Sequence, residues 1–87
     1  MICVDELRPC RFRRWKQACH LFDLVDGRAT ETQALSKFIE ALGLKSTWFQ
    51  EHPEFPHYDL SPRMRAKAVK AGAKEVKLKD ILKRGGE

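Results

Sequence analysis

The sequence has no long hydrophobic run: its apolar stretches last only a few residues, far short of the roughly 20 that a membrane-spanning helix needs. A signal-peptide core is missing too, because Asp5, Glu6 and Arg8 interrupt the N-terminus at once, and the expected compartment is the cytoplasm. There is no C-x-x-C pair; Cys3, Cys10 and Cys19 lie seven and nine residues apart, which removes the zinc-knuckle and thioredoxin-type patterns. Cys3 and Cys19 sit in apolar segments and are expected to be buried as small hydrophobes, whereas Cys10 has cationic neighbours that would lower its thiol pKa. Internal repeats and low-complexity linkers are also missing, so 87 residues with 43% hydrophobic content make one domain, 1–87, around one small core.

Acidic residues are scarce in two stretches. Residues 8–16 carry five basic side chains and no acidic one, and residues 61–84 carry nine basic against two acidic. Between them, residues 17–60 hold three basic and seven acidic residues, so two positive blocks flank an acidic middle within a net charge of +5. If the two blocks fold onto one side, their summed field attracts phosphate-bearing partners; if not, they form a solvated surface that keeps a small protein soluble.

Ile2 to Val4 is a short β-branched run with Asp5 and Glu6 at its C-terminal end, and it predicts a buried strand. Ala18 to Val25 predicts a second strand, with Ala18, His20, Phe22 and Leu24 on one face and Cys19, Leu21, Asp23 and Val25 on the other. Both faces are largely apolar, which predicts a central position. Asp26-Gly27 marks a turn, and Thr30 with Gln33 has capping-box spacing ahead of Leu35, Phe38, Ile39 and Leu42, an amphipathic helix stopped by Gly43. Thr47 to Gln50 predicts a short strand, with Trp48 and Phe49 as packing residues, and Pro53 and Pro56 bracket a loop before His57-Tyr58-Asp59-Leu60. Ser61 caps a second helix with Pro62 at its first position, running to about Ala71 with Met64, Ala68 and Ala71 inward. Lys74 to Lys77 predicts a last strand, and Leu78, Ile81 and Leu82 a last helical turn. The fold class is therefore α/β: a small mixed sheet of three to five short strands with two to three helices.

Chemistry is expected at segment ends, where α/β sheets place their ligands. His57 and Asp59 are two apart, so in an extended segment both point the same way, and with Asp5 and His20 they make a candidate catalytic set. Such a set either holds a divalent metal that activates water at a phosphodiester, or uses histidine as general acid or base with aspartate fixing its tautomer. The start of the second helix is a candidate phosphate site, with the Ser61 hydroxyl, unpaired first-turn amides and Arg63 and Arg65 nearby, joined by Arg8, Arg13 and Arg14 from the first basic block. Trp15, interleaved with Arg13, Arg14 and Lys16, and Tyr58 are candidates for stacking on a base.

The series Asp5, Glu6, Arg8, then Cys19-His20-Leu21, Leu35, Phe38, Gly43-Leu44, Trp48-Phe49 and His57-Tyr58-Asp59-Leu60-Ser61, followed by Arg63 or Arg65, Ala68 and Gly72-Ala73, resembles a family of short bacterial and phage proteins. That family is a domain of unknown function, and the likeness spans almost the whole chain. Glu6 stands where such proteins tend to carry a second aspartate, and the acidic residue after the His-Leu step is shifted to Asp23. The resemblance brings no established activity. Its phage association implies host takeover or anti-defence, including sequestration of nucleotide signals.

Three functional expectations follow. The first is a small basic accessory protein that binds a nucleotide or nucleic-acid phosphate, with affinity falling as salt rises. The second is a metal-dependent phosphoesterase or nuclease with Asp5, His20, His57 and Asp59 around the ion. The third is an anti-defence inhibitor that sequesters nucleotide signals or docks on a host protein. A homo-oligomer would enlarge the small core, and no membrane partner is expected.

Overall fold

β3, Gln17–Val25, is the longest strand and organises the sheet, as its two apolar faces require. The structure, a computed structural model, describes residues 1–9 and 16–79. Around β3 are β1 (Ile2–Val4), β2 (Arg8–Pro9), β4 (Arg28–Thr30), β5 (Phe49–Gln50), β6 (His57–Leu60) and β7 (Lys74–Glu75), with α1 at Gln33–Leu42, α2 at Pro62–Lys70 and a 3-10 turn at Ser46–Trp48. The main order across the sheet is β5-β6-β3-β1-β7, with β2 and β4 also paired to β3. Among the described residues only β1 and β7 run parallel and the other pairs are antiparallel, so the sheet is mixed. The α/β class is as expected, with more and shorter strands than the sequence suggests. Segments of two residues such as β5 carry too little periodicity to be read.

Alternation along β3 separates two environments. Cys19 and Leu21 join Val4, Tyr58 and Leu60 against Leu35, Ile39 and Leu42 of α1 and Ala68 of α2, which form the main core. His20 and Phe22 point to the opposite face, together with Cys3 of β1, which pairs with Phe22. Cys3 and Cys19 are free and buried, and burial, reinforced by the negative charge of Asp5, pushes the Cys19 thiol up to about 12. Cys10 lies outside the described residues.

α1 opens two residues later than the capping-box spacing implies. Thr30 is still paired with Asp23 in β4, and the cap is Thr32, whose hydroxyl accepts the Leu35 N–H at 3.1 Å and donates to the Asp23 carboxylate. Gly43 closes the helix at φ 81°, a left-handed conformation, and brings the Leu44 N–H to the Ile39 carbonyl at 2.9 Å. α2 begins as expected, with the Ser61 hydroxyl accepting the Met64 N–H at 3.2 Å and Pro62 in the first position. Ala71, by contrast, is exposed; the chain turns at Gly72, φ 114°, and Ala73 is the residue that packs inward. β7 stops at Glu75, although the Val76 N–H still reaches the Val4 carbonyl at 2.9 Å. Ile81 and Leu82 lie outside the described residues, and no helix among those described is long and apolar enough to cross a membrane.

Asp23 ties the start of α1 to the sheet. Burial alone would raise its pKa, but the Met1 amino group at 2.6 Å and the Thr32 hydroxyl outweigh that and hold the carboxyl below its ordinary value. A carboxyl depressed in the folded state contributes stability that is full above its unfolded pKa and is lost as pH falls through the folded value. Asp23→Asn should therefore be less stable than the wild type at pH 7, with the gap narrowing below about pH 4. Urea denaturation at pH 7 and pH 3 measures both; a gap of equal size at the two values would refute the assignment.

Candidate metal centre

Two adjacent strands place the candidate residues. β3 and β6 pair antiparallel with His20 directly opposite Asp59, and His57, two residues before Asp59, shares that face. Opposed side chains on one face start with their Cβ atoms about 5 Å apart. Here the rings of His20 and His57 meet edge to face, with centroids 4.6 Å apart at 89°. One ligand atom each from His20, His57 and Asp59 lies within 4.8 Å of the other two. This face is the one turned away from α1 and α2, since Cys19, Leu21, Tyr58 and Leu60 point to the helices.

Asp5 belongs to the same site but stands behind it. Between the pairs Val4–Leu21 and Arg8–Ala18, Asp5, Glu6 and Leu7 face only Cys19 and His20, so the strand gains one residue, as in a β-bulge. The irregularity leaves Asp5 against His20, fully buried at 0% exposure. Its Oδ1 accepts the His20 backbone N–H at 2.6 Å, and its Oδ2 lies 2.6 Å from His20 Nδ1. Both carboxylate oxygens are thus engaged by a single residue. Asp5 is accordingly not among the three residues whose ligand atoms converge; it lies behind His20.

His57 is oriented by a different acceptor. Its Nδ1 lies 2.6 Å from the Phe55 carbonyl oxygen, and because a carbonyl only accepts, that nitrogen carries the proton. Nε2 is then left for the site, 3.5 Å from Asp59 Oδ1. Burial alone would lower the His57 pKa, but the Asp59 hydrogen bond, the Phe55 carbonyl and the charges of Asp59 and Asp5 outweigh it and raise the value. A proton and a metal ion compete for the same Nε2 lone pair.

The site is half-open. Side-chain exposure is 26% for His20, 14% for His57 and 31% for Asp59, so solvent reaches part of each side chain. Phe55 forms an aromatic wall, with its ring centroid 5.2 Å from those of both His20 and His57 and 4.9 Å from that of the buried Phe22. Two imidazole nitrogens and one carboxylate oxygen suit a first-row transition ion or zinc, with coordination positions left for water and substrate.

The remaining candidates lie elsewhere. Ser61 and Arg63 belong to the start of α2, on the helix side of the sheet; Ser61 caps its own helix and Arg63 is exposed. Arg65 turns inward, donating from Nε to the Asp5 carbonyl at 2.8 Å and pairing with Glu75 at 2.9 Å, so its guanidinium supports the strand that carries Asp5. Arg8 is exposed and pairs with Glu6 at 2.6 Å. Tyr58 is 5% exposed and packs on Phe49 with ring centroids 5.1 Å apart, which removes it as a stacking platform: alternation in β6 sends it to the core while its neighbours face the site. Arg13, Arg14 and Trp15 lie outside the described residues. Sequence reading missed Phe55, both ring and carbonyl; the prolines at 53 and 56, which hold it in a short loop beside β6, were the available signal.

No curated protein and no solved structure matches the chain. A family model does, over residues 2–86, in agreement with the expected membership of an uncharacterised family. With nearly its full length matched, the chain belongs to the family described as protein of unknown function (DUF4031).

Proposed function

We propose that the protein is a divalent-metal-dependent hydrolase of phosphate diesters, with the ion held by His20, His57 and Asp59. The observation that carries this reading is the convergence of three ligand atoms within 4.8 Å on one sheet face, with the Nδ1 of each imidazole already engaged by an oxygen behind it. An ion in this setting lowers the pKa of a bound water and polarises a phosphoryl oxygen.

The chain's own residues supply the rest. Asp5 and the Phe55 carbonyl orient the two rings, and Phe55 and Phe22 exclude water from one flank, which strengthens electrostatic interactions there. The overall net charge of +5 favours the approach of an anion in general, while the α2 part of the second basic block lies on the helix side of the sheet, away from the imidazoles. The same charge is compatible with a binding module that never turns substrate over, and the two readings part on turnover.

The test is incubation with manganese, cobalt, zinc or magnesium and a panel of phosphodiesters: dinucleotides, cyclic dinucleotides and single-stranded oligonucleotides. Hydrolysis is expected only with an ion present and is expected to vanish in the His57→Ala, Asp59→Ala double variant. Equal turnover by wild type and double variant would remove the hydrolase reading. Salt-sensitive binding without turnover would favour the binding module.

A further inference from the structure

We infer that Asp5 is the positioning residue of this site: by clamping His20 through both its backbone N–H and its Nδ1, it presents the Nε2 lone pair towards His57 and Asp59 and makes the centre one for an imidazole-binding transition ion rather than for magnesium. This rests on the metal reading above and specifies its ligand class.

The geometry behind it is unusual in its economy of partners. A buried carboxylate has about four lone-pair directions to satisfy, and here both oxygens are directed at one residue, each at 2.6 Å. The first contact locks the backbone of β3 at His20 beside the bulge; the second locks the ring. With Nδ1–H donating to Oδ2, the opposite nitrogen of the neutral ring is a bare acceptor. His57 reaches the same state through the Phe55 carbonyl, so two independent acceptors leave two Nε2 atoms with the same role. Arg65 completes the support by donating to the Asp5 carbonyl at 2.8 Å, which fixes the backbone from which the clamp extends.

This arrangement selects among ions. Magnesium prefers oxygen ligands and keeps most of its waters, so two fixed imidazole nitrogens give it little. Zinc, cobalt and nickel bind imidazole well, and a carboxylate behind the ring raises its basicity. An Asp59 carboxylate supplies the anionic ligand without turning the site into an oxygen cage.

Asp5→Asn tests the clamp with almost no change of shape. An asparagine has only one acceptor oxygen for two N–H groups. If that oxygen keeps the His20 backbone N–H, its NH2 faces Nδ1 and forces the proton onto Nε2, the atom needed by the ion. If the amide is turned over, its NH2 opposes the backbone N–H. The clamp is broken in either orientation.

Two readouts are needed. Nitrogen-15 spectra of the metal-free protein report which ring nitrogen carries the proton, and cobalt(II) titration reports affinity and geometry through its visible absorption. In the wild type, His20 is expected to be protonated at Nδ1 and cobalt to bind with at least tenfold preference over magnesium. In Asp5→Asn, His20 is expected to shift towards the Nε2-protonated form and cobalt affinity to fall by about 10–100-fold. A wild-type His20 protonated at Nε2 overturns the inference, and this measurement needs no variant to fold. Unchanged cobalt affinity in a folded Asp5→Asn protein also overturns it, as does a wild-type preference for magnesium. If His20 is protonated at Nδ1 but the wild type binds no cobalt, zinc or nickel, the metal reading itself fails and the ion-selection claim falls with it, while the clamp stands as a structural contact.

Discussion

Saturating zinc or cobalt is expected to raise the thermal midpoint of the protein by roughly 10–20 °C, and magnesium to leave it nearly unchanged. The three ligands come from positions 20, 57 and 59, and the folded sheet brings them within 4.8 Å of one another. The unfolded chain keeps at most the His57 and Asp59 pair together, so an ion held by the three would bind the native state preferentially. At one hundred times the dissociation constant that preference is worth about 2.7 kcal/mol, and each kcal/mol moves the midpoint of a domain this small by about 4–8 °C. His20→Ala and His57→Ala should each abolish the gain, and a chelator should reverse it in the wild type. Circular dichroism melts of the wild type and both variants, with and without ion, decide the matter. A gain of equal size in either alanine variant would place the ion elsewhere.

Much of this site was legible because strand geometry is simple. The two-residue spacing of His57 and Asp59 puts both on one face of any extended segment, and the alternation through Ala18 to Val25 separates His20 from Cys19 and Leu21 without knowledge of the fold. Pairing was not legible. That β6 lies beside β3 with Asp59 opposite His20, and not one residue to either side, is set by packing of Tyr58 and Leu60 into the core, and a slip of one residue would reverse every face. The clamp was hidden for a related reason. Asp5 reaches His20 because the strand gains a residue between Val4 and Arg8, and an irregularity of that kind leaves no periodic trace.

Two misplacements have the same root. Thr30 and Thr32 are chemically equivalent caps, and the choice between them depends on how far β4 continues its pairing with β3. Arg65 stands beside Arg63 in a basic helix start, yet a helix turns about 100° per residue, so the two diverge by about 200° and only one faces the sheet. The inward arginine supports Asp5, and its neighbour remains in solvent. Charge counting along the chain cannot separate them; the helical phase relative to the sheet does.

Replacing Phe22 with alanine is expected to cost about 3–5 kcal/mol, and replacing Leu21 about 2–5 kcal/mol, a large share of what holds a domain of this size together. Both side chains are fully buried, on opposite faces of the same strand. Leu21 packs with Val4, Leu35, Ile39 and Leu60 under the helices, while Phe22 lies beneath Phe55 on the side of the imidazoles. The stability losses are therefore similar, but their consequences for the site differ. Leu21→Ala opens a cavity on the helix side and leaves the ring supports of His20 and His57 in place. Phe22→Ala removes the base on which Phe55 rests, and Phe55 both flanks the two imidazoles and provides the carbonyl that holds His57 Nδ1. At low temperature, where both variants stay folded, cobalt affinity should be unchanged in Leu21→Ala and about tenfold weaker in Phe22→Ala, the scale of loss seen when an outer support of a metal ligand is removed. Urea denaturation gives the stability terms and cobalt titration the affinities. Equal weakening in the two variants would mean that the ion senses only the overall looseness of the fold, and the wall built by Phe55 and Phe22 would have no part in holding the site.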